Sequence, residues 1–502
     1  MPGLTREELF RTKSVEQAIA DTVEPEHRLR KDLGVRDLIV FGVGVIIGAG
    51  IFVITGTVAA SNAGPAITVS FAIAGLACAL AALCYAEFAS TLPVAGSAYT
   101  FSYATFGELL AWIIGWDLVL EFTIGAAALA TSFSGYYQEV VAGTSFEVPA
   151  SIGSATDGSV DLPAVVVSLL VMVVLIAGIR FSSWLNQVVV AIKLMVILAV
   201  IVFGAAYIQP DNYSPFVPPS QPAPEGAGGF LDSTLISSLL GIEPSVFGIG
   251  GVIAGASVVF FAFLGFDIVA TTAEETRDPQ RDIPRGILGS LAIVTALYMV
   301  VSLVITGMQS YTEIDPDDGA PLATAFDVVG LEFMGRLIAL GACVGLIVVV
   351  MILMLGQTRV GFAMARDGLL PQQLARVHPW FGTPWLFTLI TGVAVATIGG
   401  LVDLQTLAHL VSIGTLFAFM LVSIGVVILR RNRPDLPRSF RVPAVYVVAT
   451  ASTLLCGYLM LNLTGGTWLR FLAWMALGVG VYLLYGRHHS RLAARERASE
   501  DA

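Results

Sequence analysis

Charged residues are scarce in this 502-residue chain, where Asp, Glu, Lys and Arg make up 13% of the sequence and hydrophobic residues 56%. A water-soluble protein of this length needs more polar side chains to cover its surface. The mean hydropathy of +0.83 supports the same conclusion. The composition therefore excludes a soluble globular protein and predicts an integral membrane protein.

Several signals of specific chemistry are also missing. The four cysteines lie singly in apolar runs, and the five histidines show neither zinc-ligand spacing nor a nearby nucleophile elbow. No apolar signal-peptide core occurs in residues 1–37. We therefore expect no enzyme activity, no metal, no cofactor and no binding of nucleic acid, whereas a receptor or scaffold is not excluded by composition.

Twelve apolar runs are long enough to cross a bilayer, which takes about 20 helical residues. The chain is thus predicted to be an all-α, multi-pass protein. The expected spans are residues 38–60, 65–88, 101–138, 163–180, 184–208, 249–271, 286–308, 324–362, 384–401, 406–429, 442–463 and 467–485.

The positive charges fall on one side of this arrangement. Of the 26 Lys and Arg residues, 23 lie in the terminal segments, in the loops after spans four, six, eight and ten, or near the ends of the spans that lead into those loops. These regions share one side if both termini do. The opposite loops carry acids such as Asp157 and Asp318 but no Lys or Arg. Because cytoplasmic loops keep positive charge, both termini are predicted to be cytoplasmic.

Glycines interrupt the first and the sixth span. The stretch VIIGAGIF, residues 45–52, places Gly48 and Gly50 in the middle of span one, and Gly265 lies late in span six. Glycine weakens a helix, although Gly44, Gly48 and Gly56 also have the spacing of a helix-packing face. Because the interrupted spans are the first and the sixth, they indicate an inverted repeat of five plus five spans, with a ligand site at the breaks. Free amides and carbonyls there suit an amino acid zwitterion.

Lys193 lies in the middle of span five, where a lysine costs about 2.5–3.5 kcal/mol on insertion scales. One interpretation is that its side chain snorkels to the cytoplasmic interface. The other is that it faces the interior, where a reversible proton site would couple transport to a proton gradient.

Asp117 and Glu121 lie one helical turn apart in span three. Two such carboxyl groups can share a proton or bind a cation. They can also form a structural pair, and the same alternatives apply to Asp267 in span six and Arg336 in span eight.

Four segments give the chain a resemblance to the cationic amino acid transporter family, as a bacterial member, within the amino acid, polyamine and organocation transporter superfamily. They are SVEQAIADTVEPEHRLRKDLGVRDL leading into GVGVIIGAGIFVITG, LPVAGSAYTF from Leu92, AEETRDPQRDIPRGI from Ala273 and RVGFAMARDGLLP from Arg359. The resemblance implies a LeuT-type fold with discontinuous helices one and six. Its parts would be a cytoplasmic N-terminal segment (1–37), a first five-helix repeat (38–208), an extracellular loop (209–248), a second repeat (249–430), helices eleven and twelve (431–486) and a cytoplasmic tail (487–502).

The resemblance also implies roles for individual residues. The substrate carboxylate would meet amides at Ala49, Gly50 and Ile51, and the Phe261 ring would close the outward gate. Ala49 stands where several relatives have Ser or Thr. The amino group would meet the carbonyls of Ile46, Phe261, Ala262 and Leu264. Proton coupling would involve Lys193, Glu121 and the carbonyl of Gly44.

These features predict a transporter of L-amino acids in the plasma membrane that uses alternating access and proton symport. Its partners would be the amino acid, protons and membrane lipid. An exchanger or a uniporter with a structural Lys193 is the alternative. The side-chain class of the substrate, cationic or small and neutral, stays open.

Overall fold

The computed structural model describes residues 11–12, 33–92, 97–156, 158–178, 183–223, 229–243, 245–272 and 275–494. Most of the predicted N-terminal segment, parts of the quoted motifs from Leu92 and Ala273, and residues 495–502 of the tail lie outside these ranges. Asp157 and Arg180 also lie outside them.

The described residues are mostly helical. In the first half of the chain the α-helices are α1 (Val35–Ile46), α2 (Thr55–Val58), α3 (Ile67–Thr91), α4 (Ser97–Thr105), α5 (Glu108–Val141), α6 (Ala150–Gly153), α7 (Leu162–Ile176), α8 (Ser183–Gly204) and α9 (Leu235–Leu240). In the second half they are α10 (Gly248–Val259), α11 (Ile268–Thr271), α12 (Pro279–Met308), α13 (Pro321–Val328), α14 (Glu332–Arg366), α15 (Trp385–Leu401), α16 (Leu404–Asn432), α17 (Val445–Leu461), α18 (Gly465–Val481) and α19 (Arg487–His489).

Shorter irregular elements join or extend these helices. The π-helical turns are Gly50–Ile54, Ala59–Ala63 and Tyr482–Gly486. The 3-10 turns are Gly64–Ala66, Ala205–Tyr207, Pro210–Tyr213, Phe260–Phe263 and Gln372–Ala375. Two short strands, β1 (Gln221–Pro222) and β2 (Ser245–Val246), pair antiparallel in the loop before α10.

Among the described residues, eight helical stretches are long and apolar enough to cross a membrane: Gly50–Thr91, Glu108–Val141, Asn186–Tyr207, Gly248–Ala270, Pro279–Met308, Glu332–Arg366, Leu404–Asn432 and Gly465–Ala494. Three shorter apolar helices, α7, α15 and α17, add to them. The chain is therefore a multi-pass membrane protein, as the composition predicts.

Two predicted spans are longer than the helices that form them. The run 101–138 contains the end of α4 and most of α5, which are separated at Gly107 with φ +95°. The run 324–362 contains the end of α13 and most of α14, which are separated at Gly330 with φ +81°. Hydropathy alone does not show these turns, because the residues on both sides are apolar.

A buried ion cluster ties the end of α3 to the end of α16. Both carboxylate oxygens of Glu87 accept hydrogen bonds from Arg430, at 2.7 and 2.5 Å. The backbone N–H of Val442 donates to the same carboxylate at 2.7 Å, and Arg438 lies 3.4 Å away. Because Glu87 is 2% exposed, this charge depends on its partners to stay buried.

Candidate functional site

The first break lies directly after α1. This helix ends at Ile46, Ile47 is extended with ψ 97°, and the chain becomes helical again in the π-helical turn that begins at Gly50. The last carbonyls of a helix lack partners within that helix, and so do the first N–H groups of the helix that follows. The break therefore brings carbonyl and amide groups together among buried residues, as the glycines predict.

Lys193 caps the end of α1 from α8. Its Nζ donates hydrogen bonds to the carbonyl of Gly44 at 2.8 Å and to that of Ile47 at 2.9 Å. The side chain is 1% exposed, so it does not reach the membrane interface as the snorkelling interpretation requires. A cation at this place also interacts favourably with the negative end of the α1 dipole.

Glycines make room for this contact. A Cβ at Gly345 of α14 would lie 2.6 Å from Cε of Lys193, and a Cβ at Gly44 would lie 2.3 Å from Cγ2 of Val190. A Cβ at Gly56 would lie 2.4 Å from Cβ of Pro321. The glycines of the first span thus serve close helix packing as well as the break.

The second break faces the first. After α10 the chain forms the 3-10 turn Phe260–Phe263, then Leu264 is extended with ψ 134° and Gly265 has φ +103°. A Cβ at Gly50 would lie 2.2 Å from Cα of Ala262. The two interrupted helices are therefore in direct contact at their breaks.

Tyr298 of α12 joins the two breaks. Its hydroxyl lies 2.7 Å from the carbonyl oxygen of Ile46 and 2.9 Å from that of Ala262. Both carbonyls belong to the predicted amino-group site, but Tyr298 was not predicted to take part. The only sequence signal was a single tyrosine within the apolar run of α12.

A small cavity lies between the breaks. The volume open to the centre of a water molecule is about 10 Å³, which is room for about one water. Its walls include five of the seven predicted substrate residues, whereas Ile51 and Ala262 are buried outside this wall. The five are Ile46, Ala49, Gly50, Phe261 and Leu264, and the remaining wall residues are Val45, Gly48, Leu129, Val349 and Leu353.

Three buried carboxyl groups lie near one another, two of them on α5 and the third, Asp267, just before α11. Asp117 and Glu121 are 0% and 1% exposed, and Asp267 lies close enough to Glu121 to interact with it electrostatically. Within the described ranges, the carboxylate oxygens of Asp117 have no hydrogen-bond partner. Gly414 of α16 packs against Asp117. Across the part of the chain that the structure describes, no cluster of three or more His, Cys, Asp or Glu side chains is arranged to hold a metal.

A second, larger cavity of about 380 Å³ opens at the far end of α5. It reaches Val53 and Ile54, so its inner end is three residues beyond Gly50, or about 5 Å along a helix. The acids in its wall are Glu139, Glu147, Asp161, Asp317, Asp318 and Asp403, and none of the wall residues that the structure describes is a Lys or Arg. The wall is therefore negatively charged.

Asp161 in this wall is also the N-cap of α7. Its carboxylate accepts a hydrogen bond from the N–H of Ala164 at 3.0 Å, and the residue is 2% exposed. Burial raises the pKa of Asp161 from 3.8 to about 6, and hydrogen bonds from Ser134 and Ala164 oppose part of that rise.

Comparison with known proteins assigns the chain to a family. The family model described as amino acid permease matches residues 33–482. The methylthioribose transporter of Bacillus subtilis is 45% identical over 96% of this chain and 99% of its own length. The branched-chain amino acid permease BcaP of the same species is 42% identical over the same shares. A vacuolar cationic amino acid transporter 2 of Arabidopsis thaliana is 40% identical over 85% of this chain and 64% of its own length.

These relatives are transporters and permeases, and the match to the family model includes both interrupted helices. The resemblance seen in the sequence motifs is thereby confirmed, and a transporter rather than an enzyme is indicated. The chain belongs to the amino acid permease family.

Proposed function

We propose that this protein is a proton-coupled symporter that imports neutral aliphatic L-amino acids across the plasma membrane. The observation that carries this proposal is the contact of the buried Lys193 ammonium with the carbonyls of Gly44 and Ile47, beside the cavity between the two breaks. A side chain that can gain and lose a proton is thereby attached to the helix that would bind the substrate.

The substrate backbone would bind to the backbone of the breaks. Its carboxylate accepts hydrogen bonds from the N–H groups at Ala49, Gly50 and Ile51, where the second half of the first helix begins. Its ammonium donates to the carbonyls of the residues around the two breaks, and the Phe261 ring closes over it. The carbonyls are those of Ile46, Phe261, Ala262 and Leu264.

The substrate side chain would point toward the apolar wall of the cavity. That wall is formed by Leu129, Val349 and Leu353 together with Val45, and the described residues that line it include no acid or base. A cationic side chain would lose its hydration there without gaining a partner. The wall thus favours an aliphatic side chain, which agrees with the name of the branched-chain permease relative.

Proton binding at Lys193 would bias the conformational equilibrium. A charged ammonium makes stronger hydrogen bonds to the Gly44 and Ile47 carbonyls than a neutral amine does. Loss of the proton therefore loosens α1, and the first repeat moves more easily relative to the rest of the bundle. Glu121, near Asp117 and Asp267, is the second proposed proton site.

The proposed architecture has twelve spans in the LeuT-type arrangement, with repeats at 38–208 and 249–430 and two further helices in 431–486. Support comes from the two facing breaks and from the turn at Gly64, which divides the stretch Gly50–Thr91 with φ +57°. The distribution of Lys and Arg supports a cytoplasmic location for both termini. The acidic cavity then opens to the outside and serves as the route to the site.

The test is uptake into proteoliposomes with an inside-alkaline pH gradient at clamped membrane potential. Labelled L-leucine is expected to accumulate above equilibrium, whereas labelled L-arginine is not. Lys193→Ala is expected to abolish accumulation while leucine counterflow continues. Equilibration without accumulation by the wild type would instead indicate a uniporter or an exchanger, with a structural Lys193.

A second candidate substrate is methylthioribose, because the relative that carries this name is 45% identical over nearly its whole length. The apolar wall also suits a methylthio group. Labelled methylthioribose in the same vesicles separates the two candidates, since uptake of this sugar without uptake of leucine would replace the amino acid proposal.

A further inference from the structure

Tyr298 lies where α12 passes both breaks. It is located in the middle of α12, and its side chain is 0% exposed. The ring packs against Phe71 and Phe263, with centroids 5.4 Å from each. Because these contacts fix the ring, the position of its hydroxyl between the two breaks is also fixed.

The end of α1 is held from two sides. Lys193 donates to the carbonyls of Gly44 and Ile47, and Tyr298 reaches the carbonyl of Ile46 between them. Tyr298 alone among these side chains also reaches the second break, through the carbonyl of Ala262. It is thus a direct polar link between the two interrupted helices.

The number of hydrogens on the Tyr298 hydroxyl limits how many carbonyls it can donate to. A phenol carries one hydrogen, so Tyr298 can donate to only one of the two carbonyls at a time. An amino acid ammonium carries three hydrogens and can supply the other carbonyl. The hydroxyl and the ammonium therefore complement each other at the pair Ile46 and Ala262.

We propose that Tyr298 is a positioning residue for the substrate ammonium. Its hydroxyl keeps the Ile46 and Ala262 carbonyls close together and donates a hydrogen bond to one of them. The substrate ammonium then needs to donate to only the other carbonyl of this pair. This inference rests on the proposed substrate site at the breaks. It adds a polar side chain to an ammonium site whose other proposed hydrogen-bonding groups are backbone carbonyls.

The experiment compares primary and N-methylated substrates in the Tyr298→Phe variant. Phe keeps the ring contacts but removes the hydroxyl, so both carbonyls then depend on the ammonium. KM for L-leucine is expected to rise about three- to tenfold, the equivalent of one hydrogen bond. KM for N-methyl-L-leucine, which has one N–H fewer, is expected to rise more, while kcat for leucine changes little.

Tyr136→Phe is the matched control. Tyr136 is also fully buried, and its hydroxyl donates to a carbonyl of the first helix, that of Phe52, at 2.6 Å. Phe52 is not part of the proposed ammonium site. The ratio of KM values for the N-methylated and the primary substrate is therefore expected to stay at its wild-type value.

The outcomes separate the two proposals. An unchanged KM ratio in Tyr298→Phe, or the same change in Tyr136→Phe, would overturn the role of Tyr298. Because these readouts use uptake, Gly50→Ala is measured in parallel. Normal transport by Gly50→Ala would reject the site at the breaks itself, whereas loss of transport with an unchanged KM ratio in Tyr298→Phe would reject only the positioning role.

Discussion

Gly50 and Ala262 touch through their backbones, so that a Cβ on Gly50 would lie 2.2 Å from Cα of Ala262. Since the clash is with backbone, rotation of a side chain cannot relieve it. Gly50→Ala is expected to separate the two breaks and to lower uptake by at least about tenfold. Gly250→Ala is the control, because a Cβ at Gly250 meets no atom within 4 Å. Equal uptake by the two variants, at equal amounts of folded protein, would contradict this prediction.

Gly345→Ala is expected to disturb proton coupling without removing Lys193. The new Cβ would lie 2.6 Å from Cε of Lys193, so the side chain must move away from the Gly44 carbonyl. Gradient-driven accumulation of leucine should fall several-fold, whereas counterflow should fall less. Gly356→Ala in the same helix is the control, since its nearest neighbour, an atom of Phe122, is 3.6 Å away. Loss of accumulation in both variants would point to a general effect on α14.

Val349→Ala is expected to change which side chains the protein accepts. Val349 belongs to the cavity wall, and its truncation makes room for a bulkier substrate. The ratio of kcat/KM for phenylalanine to that for alanine should rise by about tenfold, the effect of one or two methyl groups in an apolar pocket. The neighbouring Val350→Ala, which is buried but does not line the cavity, should leave the ratio unchanged.

Asp161→Asn is expected to alter how stability depends on pH. The folded-state pKa of Asp161 is about 6 and its ordinary value is 3.8, so the folded protein holds this proton more tightly. The contribution of Asp161 to the free energy of unfolding therefore falls as pH rises between these two values. Asn keeps the N-cap but does not titrate. The Tm difference, Asn variant minus wild type, should grow from pH 4 to pH 6.5 and then stay constant. A difference that is independent of pH would contradict the assignment.

Glu87→Gln is expected to destabilise the fold rather than to affect the substrate site. The change removes the charge that pairs with Arg430 and Arg438. The expected loss is about 2 kcal/mol, below the range for fully buried pairs because Arg430 is partly exposed. Thermal unfolding in detergent measures it. Asp435→Asn breaks the exposed pair with Arg433 and should change Tm little.

Residue patterns predicted the parts of this structure that depend on local chemistry. Glycines marked both breaks, and the mid-span position of Lys193 marked it as unusual, because each conflicts with an uninterrupted apolar helix. The contact of Lys193 with Gly44 followed from the family resemblance and not from spacing. Hydropathy did not separate α13 from α14, since it does not detect a turn between apolar segments.

The parts that depend on tertiary packing were not predicted. Leu129 and Val349 line the cavity, but they resemble every other apolar residue of their helices in the sequence. Tyr298 reaches both breaks only because α12 packs beside them at the level of this residue. The ion cluster of Glu87 joins residues more than 340 positions apart, which single-sequence patterns do not reveal.

The size of the cavity between the breaks has a consequence for the return half of a transport cycle. A symporter that has released its cargo must reorient without it. Here the cavity between the breaks has room for about one water. The returning protein would therefore carry almost no solvent and no hydrated ion across the membrane. Under the proposed symport mechanism, so small a cavity would in this way limit leakage of the proton gradient.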